Sequence, residues 1–377
     1  MRIGLIAPII EQVPPRLHGS AERTVALLAE GLANRGHSVT VFASGDSQVR
    51  GRLIAPVSRA MRFSDFDPTA ATLLHVAKAY ERSSEFDVIH NHAGPMAFPF
   101  ARASSVPTVT TTYDRLDAPG MRELFDSFPE QALVATSWAQ RTHLARADWR
   151  ATIHGAVDIV QFRFRANPGS YLVYVGRIGP EKRLEWAIDL AREVGRRLVI
   201  AGWVAHSDVM YFDHVLAPRI RNVPHVEDLA EIEDWEKDAL LGGAYAFVYP
   251  ASDVGASGLP LLEAMATGTP VLAVEGSPAS ELVRDAVTGF VCKSLGEMVD
   301  AVERVPGLDR KASRNHVARR FSPAALARRY EQVYVGLIDN PNRATRLQML
   351  AAPDSARAFE GTLPVQTNGR VTTADRA

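Results

Sequence analysis

A single cysteine, Cys292, among 377 residues rules out an intramolecular disulfide framework. It makes a reducing cytosol, hence a cytoplasmic protein, the expected setting. No apolar run approaches the roughly 20 residues that a membrane-spanning helix needs, so at most peripheral membrane contact is expected. The opening run Ile3 to Ile10 is short, follows one Arg and lacks a cleavage-site pattern, which reads as a first strand rather than a leader. Neither charge is in excess: 42 Lys+Arg against 43 Asp+Glu leave a net charge of −1. A dedicated nucleic-acid binder would carry a clear basic surplus, so no nucleic-acid partner is expected. The first strand is not followed by G-x-G-x-x-G, which leaves a dinucleotide oxidoreductase with little support. What remains, at 46% hydrophobic and 23% charged residues, is an ordinary soluble globular composition. The length suggests two domains, each able to bury its own core.

Strand and helix patterns alternate almost from the first residue. Short apolar runs at 1–7, 38–42, 87–90, 106–112 and 132–135 predict strands, and helical spacing at 20–35 and 68–84 predicts helices between them. The stretch 156–170 crowds Arg163, Arg165, Asn167, Pro168 and Gly169 together and reads as a linker. A second series follows, with strands at 171–175, 197–201, 244–249 and 270–274 and helices at 183–194, 260–266 and 278–285. The expected architecture is α/β, with two Rossmann-like doubly wound domains facing across a crevice. Their expected extents are 1–155 and 171–320, with a C-terminal helix over 321–340 returning towards the first domain. The polar stretch 341–377 lacks a sustained apolar period and reads as a disordered tail. Open α/β sheets bind ligands beyond the carboxyl ends of their strands, so the loops there should carry the chemistry.

Three such loops stand out. The first, Ala251-Ser-Asp-Val-Gly-Ala-Ser-Gly-Leu-Pro260, brings small residues including Ser257 and Gly258 before a helix start, where free backbone N–H groups favour a diphosphate. Glu263 is expected in that helix's first turn, with a carboxylate able to accept two ribose hydroxyls or simply to complement the helix dipole. The second, Val175-Gly176-Arg177 to Lys182, presents two cations suited to a departing diphosphate. The third, Leu17-His18-Gly19-Ser20-Ala21-Glu22, offers Gly19 and Ser20 backbone donors to an anion and places Ser20 to cap the next helix. His90 and His92 share one side of a strand end, but lack the cysteines or acidic partner of a metal site, and no metal or other cofactor is expected.

The order His18-Gly19-Ser20-Ala21-Glu22, Arg35-Gly36-His37, Asp87-Val88-Ile89-His90, His154-Gly155-Ala156-Val157-Asp158, Arg177, Lys182, Glu263-Ala264-Met265-Ala266, Gly268-Thr269-Pro270-Val271 and Thr288-Gly289-Phe290 resembles a family 4 glycosyltransferase of the GT-B fold, retaining at the anomeric carbon. The resemblance covers about 1–338. It implies metal-independent transfer of a hexose from a nucleoside-diphosphate sugar, UDP- or GDP-linked, to an acceptor it does not identify. It further implies that Arg177 and Lys182 neutralise the donor diphosphate and that Glu263 binds the nucleotide ribose. Ser257, Gly258 and Leu259 would contact sugar and phosphate, and Gly19 would face the donor phosphate. Acceptor loops would lie near 63–69 and 93–100. Two positions depart from the family pattern: Gly255 replaces the usual first Glu, and Tyr113 replaces the usual His beside the sugar. Asp253 could substitute for the first, and Tyr113, with His92 nearby, belongs to the sugar or acceptor side. The departures leave open a non-catalytic or weakly active nucleotide-sugar-binding homologue, and a GT-B epimerase or phosphorylase is a third reading.

Overall fold

The computed structural model describes residues 1–62, 64, 66–251 and 258–339. Asp253, Gly255, Ser257 and the expected tail at 341–377 therefore lie outside the described residues. Two parallel sheets, each covered by helices on both faces, form two α/β domains. The first has seven strands: β1 (Arg2–Ile6), β2 (Ser38–Ser44), β3 (Arg52–Val57), β4 (Val88–Asn91), β5 (Thr108–Thr112), β6 (Ala132–Ala135) and β7 (Trp149–Thr152). The second has six: β8 (Leu172–Ile178), β9 (Leu198–Val204), β10 (Val226–Asp228), β11 (Ala246–Tyr249), β12 (Val271–Val274) and β13 (Gly289–Cys292). The spatial orders β3-β2-β1-β4-β5-β6-β7 and β10-β9-β8-β11-β12-β13 follow the same rule. In each sheet the order reverses beside the domain's first strand, which opens a crevice there.

Alternation along the central strands explains why these runs are apolar throughout. Ile3 and Leu5 face helix α1 (Ser20–Ala33), whereas Ile6 packs with Phe42, Val76 and Phe86 on the opposite face. Likewise Val173 and Val175 enter one core of the second domain, and Leu172 and Tyr174 enter the other. Helix α2 (Pro68–Tyr80) begins where Asp67 accepts hydrogen bonds from Thr69 N (2.7 Å) and Ala70 N (3.1 Å), with Pro68 in the first turn. The predicted 278–285 helix is reduced to one turn, Ala279–Leu282, because Val283 is already extended. Sequence reading missed β3, which contains Pro56 and pairs only with β2, an edge position where a missing N–H is tolerated. No helix among the described residues is long and apolar enough to cross a membrane.

The chain crosses between domains twice. Residues 156–170 contain no helix or strand, yet they are held: Val157 and Phe162 sit in the second domain's core, and Arg165 pairs with Asp238 at 2.8 Å. The helix Pro323–Asp339 then returns, placing Leu326, Ala327, Tyr330, Tyr334 and Leu337 in the first domain's core beside Leu28 and Leu32 of α1. Glu331 on this helix accepts from Arg35 Nε (2.9 Å) and lies 2.8 Å from His37 Nε2. The Arg35-Gly36-His37 signature thus anchors the returning helix. Across the crevice, Glu281 accepts from Trp138 N (2.8 Å) and Ala139 N (3.0 Å) and meets His154 Nε2 at 2.8 Å.

The α1 contact is close because Gly31 lacks a side chain: a Cβ there would lie 2.8 Å from Pro323 O and 2.9 Å from Ala327 Cβ. We expect Gly31→Val to lower unfolding free energy by about 1–3 kcal/mol in urea titrations, since it forces the two helices apart. Gly336, on the same returning helix, has open space around it. Gly336→Ala should raise stability by about 0.5–1 kcal/mol.

Candidate functional site

The crevice holds a cavity of about 420 Å³ lined from both domains, with Gly19, Ser20, Glu22, Arg23 and Tyr113 on one side. Arg177, Lys182, Trp203, Lys237, Gly258, Leu259 and Glu263 line the other. Of the described candidate residues, Gly19, Ser20, Tyr113, Arg177, Lys182, Gly258, Leu259 and Glu263 lie on the cavity wall; His90 and His92 do not, and His92 sits behind Tyr113 at 2% exposure. His92 Nδ1 is 3.0 Å from the Tyr113 hydroxyl.

The loops fold as they do for steric reasons. Gly19 has φ +154°, and a Cβ there would press to 2.9 Å from Pro15 Cβ and 3.0 Å from Glu22 Oε2. Gly19, not Ser20, occupies the cap position of α1; Ser20 is the first helical residue, and its carbonyl accepts from Thr24 Oγ1 at 2.8 Å. Gly258 has φ +65° and precedes the helix Leu259–Thr267, with Leu282 Cδ1 only 2.3 Å from where a Cβ would stand. That start makes Glu263 the fifth helical residue, just past the first turn in which the sequence places it. Its side chain lines the cavity and is buried.

Glu263 is 1% exposed, and neither carboxylate oxygen has a hydrogen-bond partner among the described residues. Arg23 Nε lies 4.0 Å from Oε1 and Lys237 Nζ 3.6 Å from Oε2. Asp234 completes the group, 2.8 Å from Arg23 Nη2 and 3.0 Å from Lys237 Nζ. Two cations and two carboxylates balance, yet the Glu263 acceptors are left unmet. Such a site favours a ligand that brings two neighbouring O–H donors.

The wall carrying Arg177 and Lys182 differs in detail from the sequence expectation. Arg177 is engaged by Glu181 and Asp208, so its guanidinium reaches the cavity already paired. Lys182 ends the short turn Pro180–Lys182 and is 9% exposed. At the mouth, His18 stacks on Trp203, with ring centroids 3.8 Å apart and planes 7° from parallel. Its Nδ1 lies 2.5 Å from Glu231 Oε1, whose Oε2 accepts from Arg62 at 2.5 Å. Burial lowers the His18 pKa, and the Glu231 contact partly offsets that effect. Sequence reasoning missed Arg23, Lys237, Trp203 and Glu231. Trp203 stands near the end of β9, where the strand-end rule could have found it; Arg23 lies one helical turn beyond Gly19. Nothing local marks Lys237 or Glu231.

A second cavity, about 930 Å³, opens beside the first, lined by the amino-terminal domain and by Glu233 of the second, and Leu17 lines both. Its wall includes Arg16, Arg59 and Arg62 with Val57, Met61, Phe66 and Leu74. Of the acceptor loops implied by the resemblance, 63–69 contributes Ser64, Phe66 and Asp67, whereas 93–100 contributes no lining residue.

Glu22 carries a titration consequence. Burial pushes its carboxyl up to about 7 from 4.5, against weaker pull from backbone N–H groups and Arg23. The folded state therefore holds its proton more tightly than the unfolded chain, and wild-type stability should fall as pH rises from 4.5 to 7. We expect Glu22→Gln to be more stable than the wild type at pH 8, by up to about 3 kcal/mol, and the two proteins to converge below pH 4.5. Thermal unfolding across that range checks the sign.

Residues 160–316 match the family model described as glycosyl transferases group 1, and residues 21–161 match the one described as glycosyltransferase family 4. Among curated proteins, the phosphatidyl-myo-inositol mannosyltransferase of Mycobacterium tuberculosis is 25% identical over 369 residues, covering 88% of this chain and 93% of that protein. Among solved structures, the sucrose-phosphate synthase of Thermosynechococcus elongatus superposes with a TM-score of 0.73 at 16% identity, covering 90% of this chain and all of that one. Anabaena HepE, solved in complex with UDP, gives 0.67 at 18% identity, covering 89% of this chain and all of that one.

Proposed function

Because this chain belongs to the family 4 glycosyltransferases and has their GT-B fold, we propose that it moves a hexose from a UDP- or GDP-linked sugar to an acceptor hydroxyl. In this reading the anomeric configuration is retained and no metal ion takes part. The observation that carries it is the Glu263 carboxylate, buried at the cavity wall with both oxygens lacking hydrogen-bond partners. The 2′- and 3′-hydroxyls of a ribose are a neighbouring donor pair of the kind these oxygens lack.

With the ribose on Glu263, the diphosphate lies towards Arg177, Lys182 and the backbone N–H groups at the start of the Leu259–Thr267 helix. As the anomeric C–O bond breaks, charge grows on the departing diphosphate, where these groups stabilise it. The acceptor oxygen forms its bond to the same face, and its proton passes to the departing phosphate. The acceptor enters through the second cavity, whose arginines and apolar side chains suit a molecule with both a polar and an apolar part. The mannosyltransferase relative makes GDP-mannose a first donor to try, and HepE with UDP makes UDP-glucose a second.

Titrating the protein with UDP, GDP and ADP, then with the matching sugar nucleotides, tests the reading directly. Clear binding of one diphosphate, tighter binding of its sugar form and transfer to an acceptor are expected; no binding of any would overturn it. Arg177→Ala and Lys182→Ala should each lower kcat/KM by roughly 10- to 150-fold, the loss of one charged hydrogen bond. Near-normal turnover in both would remove the assignment. Tyr113 in place of the usual His favours one second reading, a nucleotide-sugar-binding protein that turns over no acceptor.

A further inference from the structure

The wall that carries Arg177 and Lys182 holds as many carboxylates as cations. The Arg177 guanidinium is gripped from two sides, with Nη1 donating to Asp208 Oδ2 and Nη2 to Glu181 Oε1. Arg177 lines the cavity, whereas Glu181 and Asp208 stand outside the lining, with side chains 16% and 13% exposed. The three groups converge over Gly179. A Cβ there would lie 3.0 Å from Glu181 Oε2, 3.1 Å from Arg177 Nη1 and 3.2 Å from Asp208 Oδ2. The Gly179 backbone is extended, a conformation open to any residue, so what this glycine supplies is room. The main chain is fixed as well, since the Tyr174 hydroxyl donates to Arg177 O at 2.5 Å.

An arginine placed only to attract an anion needs no carboxylate behind it, and this one has two. Of its five N–H donors two are engaged by them, which leaves others for a ligand. The formal charge of Arg177, Lys182, Glu181 and Asp208 taken together is nevertheless zero.

The proposed reaction gives that balance a use. A nucleoside diphosphate ends with one more negative charge than it had as the sugar nucleotide. The bond to the sugar is replaced by a free phosphate oxygen, and the acceptor's proton passes on to solvent. Uncompensated cations would therefore hold the product more firmly than the donor, and a grip that persists into the product retards its release. Fixed carboxylates weaken that grip while keeping the guanidinium turned to the site.

We propose that Glu181 and Asp208 are positioning residues that hold Arg177 and damp its charge, so that the nucleoside diphosphate is released after transfer. The proposal rests on the nucleotide-sugar reading above and adds to it the pair that tunes the arginine.

Asp208→Asn and Glu181→Gln each keep an oxygen for Arg177 and remove one negative charge. Calorimetry with whichever of UDP and GDP the wild type takes should show about tenfold tighter binding in each variant. The matching sugar nucleotide, with less charge, should gain about fivefold. Stopped-flow displacement should show the diphosphate leaving about tenfold more slowly, in step with its affinity. A pair that merely propped Arg177 in place would act oppositely, and its loss would loosen both ligands. Unchanged or weaker diphosphate binding in either variant, or an equal gain for the sugar nucleotide, overturns the proposal. If neither wild type nor variants bind a nucleotide, the functional reading fails, and inorganic pyrophosphate then decides the charge of the wall by itself. Tighter pyrophosphate binding in the variants is expected; equal or weaker binding, or none at all, overturns the proposal.

Discussion

The crevice is organised around one carboxylate that the fold buries without satisfying. Taking a charged Glu263 out of water costs several kcal/mol, and two cations at 3.6 and 4.0 Å return part of that through the low-dielectric interior. A closer pair would be more stable and less useful, because it would occupy the oxygens. Arg23 comes from the first domain, Lys237 and Asp234 from the second, so the balance exists only when the domains are together.

The same economy governs the rest of the architecture. Two sheets that share a strand order, the first with one extra edge strand, face each other, so both sets of strand-end loops reach one space. Contacts that hold their mutual position include Glu281 on one side and, on the other, the His18–Trp203 stack, the Arg62–Glu231 and Arg23–Asp234 pairs and the Asp234 N–H on Arg16 O. The returning helix supplies the firm connection, through a buried apolar face and Glu331. Tyr334 on that helix belongs at once to the first domain's core and to a buried hydrogen bond with His90 of β4, 2.7 Å long.

Much of this was legible in the sequence. Central strands buried on both faces read as unbroken apolar runs, and helices with one buried stripe read at their proper spacing; β1, β6, α1 and the returning helix are examples. Edge strands are hard to see, as β3 shows: half-exposed and carrying Pro56, it lacks both signals. Loop glycines pointed to the crevice because backbone conformation is a local property. Arg23, Lys237 and Glu231 were invisible because their roles arise between domains. Ser20 was misplaced as the cap because Gly19 takes that position through a left-sided backbone angle that composition alone does not announce, and Glu263 falls one residue past the first turn of a helix that starts at Leu259 as expected.

The returning helix also imposes an order on how the protein is made. Synthesis delivers α1 early, with Leu28 and Leu32 turned towards a space that only residues 326–337 can fill. Until some 300 further residues have been added, the first domain has a finished sheet and an open flank. The second domain meanwhile emerges whole. The half of the molecule translated first is thus the last to be sealed, and its exposed apolar flank is the part a growing chain must keep from straying.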